Sequence, residues 1–573
     1  MGNLPAGGVI LKDPIKIKVL ETDFLIIGGG AAGCLAAVKA KDIQNNLDVM
    51  ILEKANIMRS GCLASGLNAI NAYINPGESP ESFVKYVRKD SMGLIREDLV
   101  LSLAKRLNEL VKLVESWGLS INKNENGDYV KRGRWNIEIE GEAIKPIIAR
   151  KTKESGVNII NRVLATNLLV KNNRVYGAFA FDIRKGIFYY IRAKAVLIAT
   201  GGASGIYRPQ NNGSAQHKTW YSPFNTGAGY AMGIRAGAEM TSFEMRFIAL
   251  RVKDIIAPTG TMALGFKANQ INSYGEKYMV KRYNHFGGDR APTPLRINGP
   301  ITELKEGRGP VFLDLTHLSS EKIKKLKEVY LNMYPGLVLY WAANNFDPGE
   351  KPVEIQGTEP YIVGGHAGAG YWINEKRETT IEGLYAAGDV AGGAPYKFVS
   401  GSWAEGVIAA ENAIKYILRY KDLDIINEIK FNEEIKRVYH PFYINEGISA
   451  NDMEERLQKI MDEYAGGISK YYEMNDKELK LGLEKIMSLK KQIKYLKADN
   501  FHELMNCHEV IDRIDVARVL IHHLLYRKET RWPIYQTRTD YPDRDDENWL
   551  KFVNSKLIND SIVIYERPYK KIV

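Results

Sequence analysis

The chain has 573 residues, 45% hydrophobic and 26% charged, a balance that describes a globular protein of three or four domains, or one nucleotide-binding domain with large insertions. Its net charge of +11, from 79 basic and 68 acidic residues, is dispersed over helical faces such as 322–327 and 490–497 with few interleaved aromatics, which speaks against a nucleic-acid groove and is compatible with a small anionic substrate. No apolar run reaches the ~18 residues of a membrane-spanning helix. The three cysteines, without any C-x-x-C, exclude a self-contained four-cysteine iron-sulfur cluster, argue against a disulfide framework and suit a reducing cytoplasm.

Residues 1–20 read as a lead-in arm or strand, and because no apolar core precedes Asp23, no export signal is expected. The apolar run Phe24-Leu25-Ile26-Ile27 then ends in Gly28-Gly29-Gly30 and continues through Ala31-Ala32-Gly33 into a small-residue stretch. This is the pattern of a buried strand, a tight turn and a helix start. The spacing Gly28-x-Gly30-x-x-Gly33 lets the backbone approach a pyrophosphate, whose charge faces the helix N-terminus. A second apolar strand from Asp48 ends in Glu53, about 20 residues past the last glycine, where a carboxylate holds a ribose hydroxyl. From Lys54 through Ser60-Gly61-Cys62 to Asn71 the chain is dense in small residues, as it is where something flat lies on the backbone.

Residues 81–116 read as amphipathic helices, and Glu140-Gly141-Glu142 precedes another helical stretch at 143–152. Alternation between Val157 and Ala193, with turn signals at Asn172-Asn173 and Lys185-Gly186, predicts a β-meander. It leads into a second buried strand ending Ala199-Thr200-Gly201-Gly202, and a third such end comes late, at Ala387-Gly388-Asp389. Strand ends of this type line the ligand crevice of an open α/β sheet. The long insertion between the second and third reads as a lid. Helices are expected near 452–464, 476–496 and 504–526.

Together the three strand ends resemble the FAD-binding half of the succinate dehydrogenase/fumarate reductase flavoprotein superfamily. The resemblance implies an α/β fold in which residues 1–234 and 371–420 form a Rossmann-like FAD-binding domain, 235–370 an inserted capping domain, and 421–573 a helical C-terminal domain. It places Gly28, Gly30, Ala32 and Gly33 at the pyrophosphate and Glu53 at the ribose, with Lys54, Ser60, Gly61, Ala199, Thr200, Gly201, Gly388, Asp389 and Ser402 completing the cofactor site. Three departures stand out. The histidine that bonds covalently to FAD in succinate dehydrogenases is missing from Ser60-Gly61-Cys62, so noncovalent FAD is expected. The His-Pro-Thr-Gly signature of the dicarboxylate enzymes is replaced by Phe243 to Arg251, and the histidine expected before a Gly-Gly pair is instead His366, after Gly364-Gly365.

The same segments are similar to the α subunits of adenylylsulfate (APS) reductases, in Arg59-Ser60-Gly61 with Gly66 to Asn71, in Thr219 to Gly227, in Ala236 to Thr241, in Arg246 to Arg251 and in Thr358 to Tyr361. This similarity implies FAD-dependent reduction of APS to sulfite and AMP through a flavin N5-sulfite adduct. Electrons would come from a ferredoxin-like iron-sulfur β subunit with 4Fe-4S clusters. Carried over by position, Arg251 binds the sulfate and phosphate region and Arg296 is a second basic contact. His366 donates a hydrogen bond or proton near the flavin, Asn71 reaches N5 or the sulfate, Trp220 stacks on adenine, and Leu264 and Glu142 contact the substrate. The family's bulky lid aromatic is Ala263 here. The alternatives are a fumarate reductase-, succinate dehydrogenase- or L-aspartate oxidase-like enzyme acting on a small acid, and a flavin subunit that only relays electrons.

Overall fold

The computed structural model describes residues 15–209, 219–420 and 431–573; the start of the predicted lead-in arm lies outside the described residues. The strand Ile17–Ile27 is exposed where it begins and wholly buried where it ends. It occupies the middle of a seven-stranded sheet, between Val49–Glu53 and Phe188–Ile198, with Asn158–Asn161 beyond the former. Phe188–Ile198 runs parallel to the first strand along its whole length, from Ile17↔Phe188 to Ile27↔Ile198. Its other edge is shared between Arg174–Asp182, antiparallel beside its first half, and Leu384–Ala386, parallel beside its last residues. The expected meander is therefore present, and its tight turn uses Asn172 and Asn173 with φ of 50° and 59°, the left-handed pair that matches strand twist.

Two helices cover one face of this sheet. Ala31–Ile43 carries almost nothing larger than alanine or valine on its buried side, and Phe398–Ile417 crosses it so closely that a Cβ on Gly406 would stand 2.2 Å from Ala32 O.

The lid has its own core. Its four-stranded antiparallel sheet, in the order Leu250–Val252, Val353–Gly357, Val311–Asp314, Asn269–Ile271, packs Val311, Leu313 and Ile355 against Ile323, Leu326, Tyr330, Leu337 and Trp341 of the helices Ser320–Met333 and Pro335–Ala343. Within residues 235–370 only this middle part is separately cored. The flanking stem strands Met240–Thr241 and Gly370–Tyr371 join a different four-stranded sheet, completed by the hairpin Lys551–Ile558 and Ser561–Pro568.

The C-terminal part is helical through Ala450–Tyr464, Asp476–Gln492 and Phe501–Tyr526, then ends in that hairpin. No described helix is long and apolar enough to cross a membrane.

The 26-residue helix Phe501–Tyr526 is buried on nearly all sides, so it must satisfy its polar groups internally. His508 does so by donating from Nε2 to Val438 O at 2.9 Å, and burial, with Arg437 beside it, pushes its pKa down to about 3. The unfolded chain takes up a proton there below about pH 6.5, whereas the folded one does not until about pH 3. Its contribution is therefore full above pH 6.5 and is lost as pH falls toward 3. In urea titrations at pH 7 and pH 4.5, His508→Gln is expected to lose about 1–2 kcal/mol less stability between the two conditions than wild type.

Candidate active site

Three parallel strands stop at one edge, since Ile27 pairs with Ile198 and Ile198 with Ala386. Immediately past that edge the backbones crowd. Gly28, at φ 105°, has Ala199 O 2.5 Å from where a Cβ would be, and Thr200 Cα at 3.1 Å; on Gly33 a Cβ would stand 2.0 Å from Gly28 O. No side chain is possible at either position. Glu53 ends its strand buried, with Oε2 accepting from Gly29 N at 2.9 Å and Oε1 from Ala55 N at 2.7 Å. The carboxylate is thus fixed against the glycine turn, with lone pairs left for a hydroxyl.

Gly388, at φ 78°, places its Cβ position 3.2 Å from Ala32 Cβ and 3.8 Å from Ser402 Oγ, while that of Gly61 meets only Gly30 Cα, at 3.7 Å. The structure therefore assembles Gly28, Gly30, Ala32, Gly33, Glu53, Gly61, Ala199, Thr200, Gly388 and Ser402 around one cradle. The buried Ser60 hydroxyl has no protein partner, as expected for a group that a ligand satisfies. A long, phosphate-bearing cofactor fits these residues.

Two of the expected cofactor residues also make close contacts within the protein. Lys54 Nζ donates to Phe224 O at 2.6 Å and pairs with Glu509 at 2.5 Å on the C-terminal helix, so its ammonium ties domains together. Gly201 has its Cβ position 2.4 Å from Asn225 Nδ2 and serves close packing. Asp389 accepts from Tyr221 OH at 2.8 Å, and its Oδ1 leaves no room for a side chain at Gly365. Cys62 follows Gly61 in the small-residue loop. Burial, then Asp389, pushes its thiol up to about 12, so it is protonated at neutral pH.

The sequence reading missed what holds Gly388 in place. Lys397, fully buried, donates to Gly388 O at 2.8 Å, Ala391 O at 2.7 Å and Glu405 Oε2 at 3.0 Å, and the same carboxylate oxygen accepts from Gly388 N at 2.9 Å. Arg377 lies 3.6 Å from the other oxygen. The available signal was a lysine and a glutamate eight residues apart in an otherwise apolar helical stretch.

On the substrate side His366 stacks on Phe247, with centroids 4.5 Å apart and planes at 19°, and meets Trp220 edge-on at 5.4 Å. Trp220 N donates to Tyr361 OH at 2.9 Å, and Tyr361 OH in turn donates to Glu359. Burial lowers the His366 pKa and Asp389 only partly offsets it, which leaves the imidazole neutral at pH 7. Arg251 is buried in the lid strand Leu250–Val252, where Gln356, with its amide oxygen toward the guanidinium, accepts from Nε at 3.2 Å and Nη2 at 2.5 Å. Its charge also reaches Glu359.

Arg296 stands in the first turn of the lid helix Thr293–Lys305. Its Nη2 donates to Thr293 Oγ1 at 2.8 Å, that hydroxyl donates to Asp90 at 2.7 Å, and its buried Nε has no partner. It is linked to the aromatic cluster through Tyr535, which feels its charge and lies 5.8 Å from the Phe247 ring. Asn71 accepts from Asn136 Nδ2 at 2.8 Å. Leu264, 57% exposed on the lid turn Thr261–Gly265, and Glu142, exposed before the helix Ile144–Glu154, lie at the rim and not among the buried groups.

Residues 23–400 match the family described as FAD binding domain, and residues 454–568 the fumarate reductase flavoprotein C-term. FAD is accordingly the cofactor of this chain. Removing Lys397 leaves the Gly388 and Ala391 carbonyls without their donor and Glu405 facing the Arg377 charge alone, at a cost of about 1–3 kcal/mol for each unsatisfied group. Lys397→Met is therefore expected to purify with clearly less flavin absorbance per chain than wild type.

The chain is 34% identical to the adenylylsulfate reductase α subunit of Megalodesulfovibrio gigas, over 99% of this chain and 98% of that one. It superposes with a TM-score of 0.93 on adenylylsulfate reductase from Archaeoglobus fulgidus, at 39% identity, covering 100% of this chain and 99% of that one. The same score, identity and coverage hold for a structure of adenosine-5-phosphosulfate reductase in complex with sulfite as a covalent adduct. The chain belongs to the adenylylsulfate reductase α-subunit family.

Proposed function

We propose that this chain is the catalytic flavin subunit of a cytoplasmic enzyme that reduces APS to sulfite and AMP, with noncovalent FAD and electrons from an iron-sulfur β subunit. The observation that carries this reading is the packing of Phe247 on His366 and Trp220 in the same segment that continues into buried Arg251. FAD, when bound, supplies the two-electron chemistry at the sulfur.

The protein supplies position and charge. Arg251 offers a planar, permanently charged fork to a tetrahedral oxyanion. Its preorganised donors act most strongly as negative charge builds on the phosphate oxygen that leaves the sulfur. His366, being neutral, donates one N–H without adding a second charge, so the local field is set by Arg251. Trp220 presents an aromatic face to the adenine, and its neighbours Phe247 and Tyr361 help exclude water. The β subunit is required on this reading because the chain's three cysteines, Cys34, Cys62 and Cys507, are all free and widely separated in sequence.

The purified heterodimer is expected to oxidise sulfite with an artificial acceptor only when AMP is present; failure to do so overturns the reading. Arg251→Gln is expected to lower kcat/KM by about 10–100-fold, the worth of one charged hydrogen bond or slightly more. Because the His366 pKa lies below 6.5, its protonation shapes the acid side of the pH profile: activity should persist as pH falls through 6.5 and decline only lower, and His366→Asn should remove that limb.

A further inference from the structure

Arg132 lies outside every residue set considered so far. It sits on the short strand Lys131–Gly133, which pairs with Asn136–Glu140, and this small sheet backs the loop that carries Asn71 through the bond from Asn136. Its guanidinium spans two domains. Nη1 donates to Asn68 Oδ1 at 3.0 Å, three residues before Asn71, and Nη2 donates to Thr261 Oγ1 at 3.0 Å on the lid turn that bears Leu264. Nε is 3.4 Å from the Cβ position of Gly265.

Arg132 is half-buried, and among the described residues no carboxylate lies within ion-pair distance of it; Glu138 and Tyr330 are the groups of opposite tendency that it feels. Of its five N–H donors, two are used by neutral oxygens. A partly desolvated cation with donors to spare gains from an anion that completes them. Nε makes no hydrogen bond among the described residues and is not sealed from solvent, so an anion can reach it.

We propose that Arg132 is a further substrate-binding residue, taking the phosphate of the nucleotide where the lid turn meets the FAD domain. The assignment rests on the function proposed above. In the FAD-loaded heterodimer, calorimetric titration with AMP is expected to give a Kd about tenfold weaker for Arg132→Gln, with a smaller change for Arg132→Lys, while the KM for sulfite stays within about twofold. An unchanged AMP Kd in Arg132→Gln at full FAD content overturns the proposal. If that variant does not fold, the wild type decides. An arginine-selective dicarbonyl followed by peptide mass spectrometry is expected to show Arg132 shielded by AMP and by inorganic pyrophosphate. Shielding by neither, or by pyrophosphate alone, overturns it. Wild-type enzyme without AMP-dependent turnover defeats the functional reading separately, and pyrophosphate shielding then still reports whether Arg132 binds anions.

Discussion

Everything in this molecule is arranged around three strand ends held in one plane. Once Ile27, Ile198 and Ala386 pair in register, the residues that follow must turn in a space already filled by their neighbours' carbonyls. Gly28 and Gly33 are forced by Ala199 O and Gly28 O, not by the cofactor. The same register fixes the lid, because the chain leaves the sheet after Ile198 and returns at Leu384 on the same edge. An insertion with its own core, anchored at both ends there, is carried above the crevice.

Buried arginines divide by what completes them. Arg246 is saturated by Tyr535 O, Ala465 O, Gly466 O and Tyr207 OH, and Arg531 by both oxygens of Glu529 together with Asp546. These are structural clamps whose donors are already taken. Arg296 leaves a buried Nε open, and half-buried Arg132 has hydrogen bonds on only two of its five donors. An anion entering between the lid and the FAD domain gains most from groups of the second kind.

The three strand ends were legible in the sequence because their signals are local: the glycine spacing and Glu53 lie on two adjacent strands, and Gly388 follows a third recognisable strand end. What stayed hidden depends on long-range pairing. Lys54 reads as part of the cofactor loop, yet its partner Glu509 comes more than four hundred residues later. The Lys397–Glu405 strut is a helix pair whose importance appears only when Gly388 is seen folded against it. Nor did the C-terminal hairpin announce itself, since its outer strand alternates only between half-buried and exposed residues and follows a long helical stretch. Arg246 stands in a segment that resembles the family, and its guanidinium holds the helical region to the lid stem.

That hairpin carries a consequence for how the protein is made. The FAD sheet uses residues up to Ala386, but the lid stem at Met240–Thr241, flanked on one side by Gly370–Tyr371, finds its second partner only at Asn554 and Ser555. On the ribosome the flavin sheet has all its strands while the lid root still lacks its second neighbour, and that root stays an open sheet edge until the final segment emerges. Such an edge is sticky. The nascent enzyme is thus most exposed to misassociation late in synthesis, after its cofactor sheet is complete and before its lid is seated.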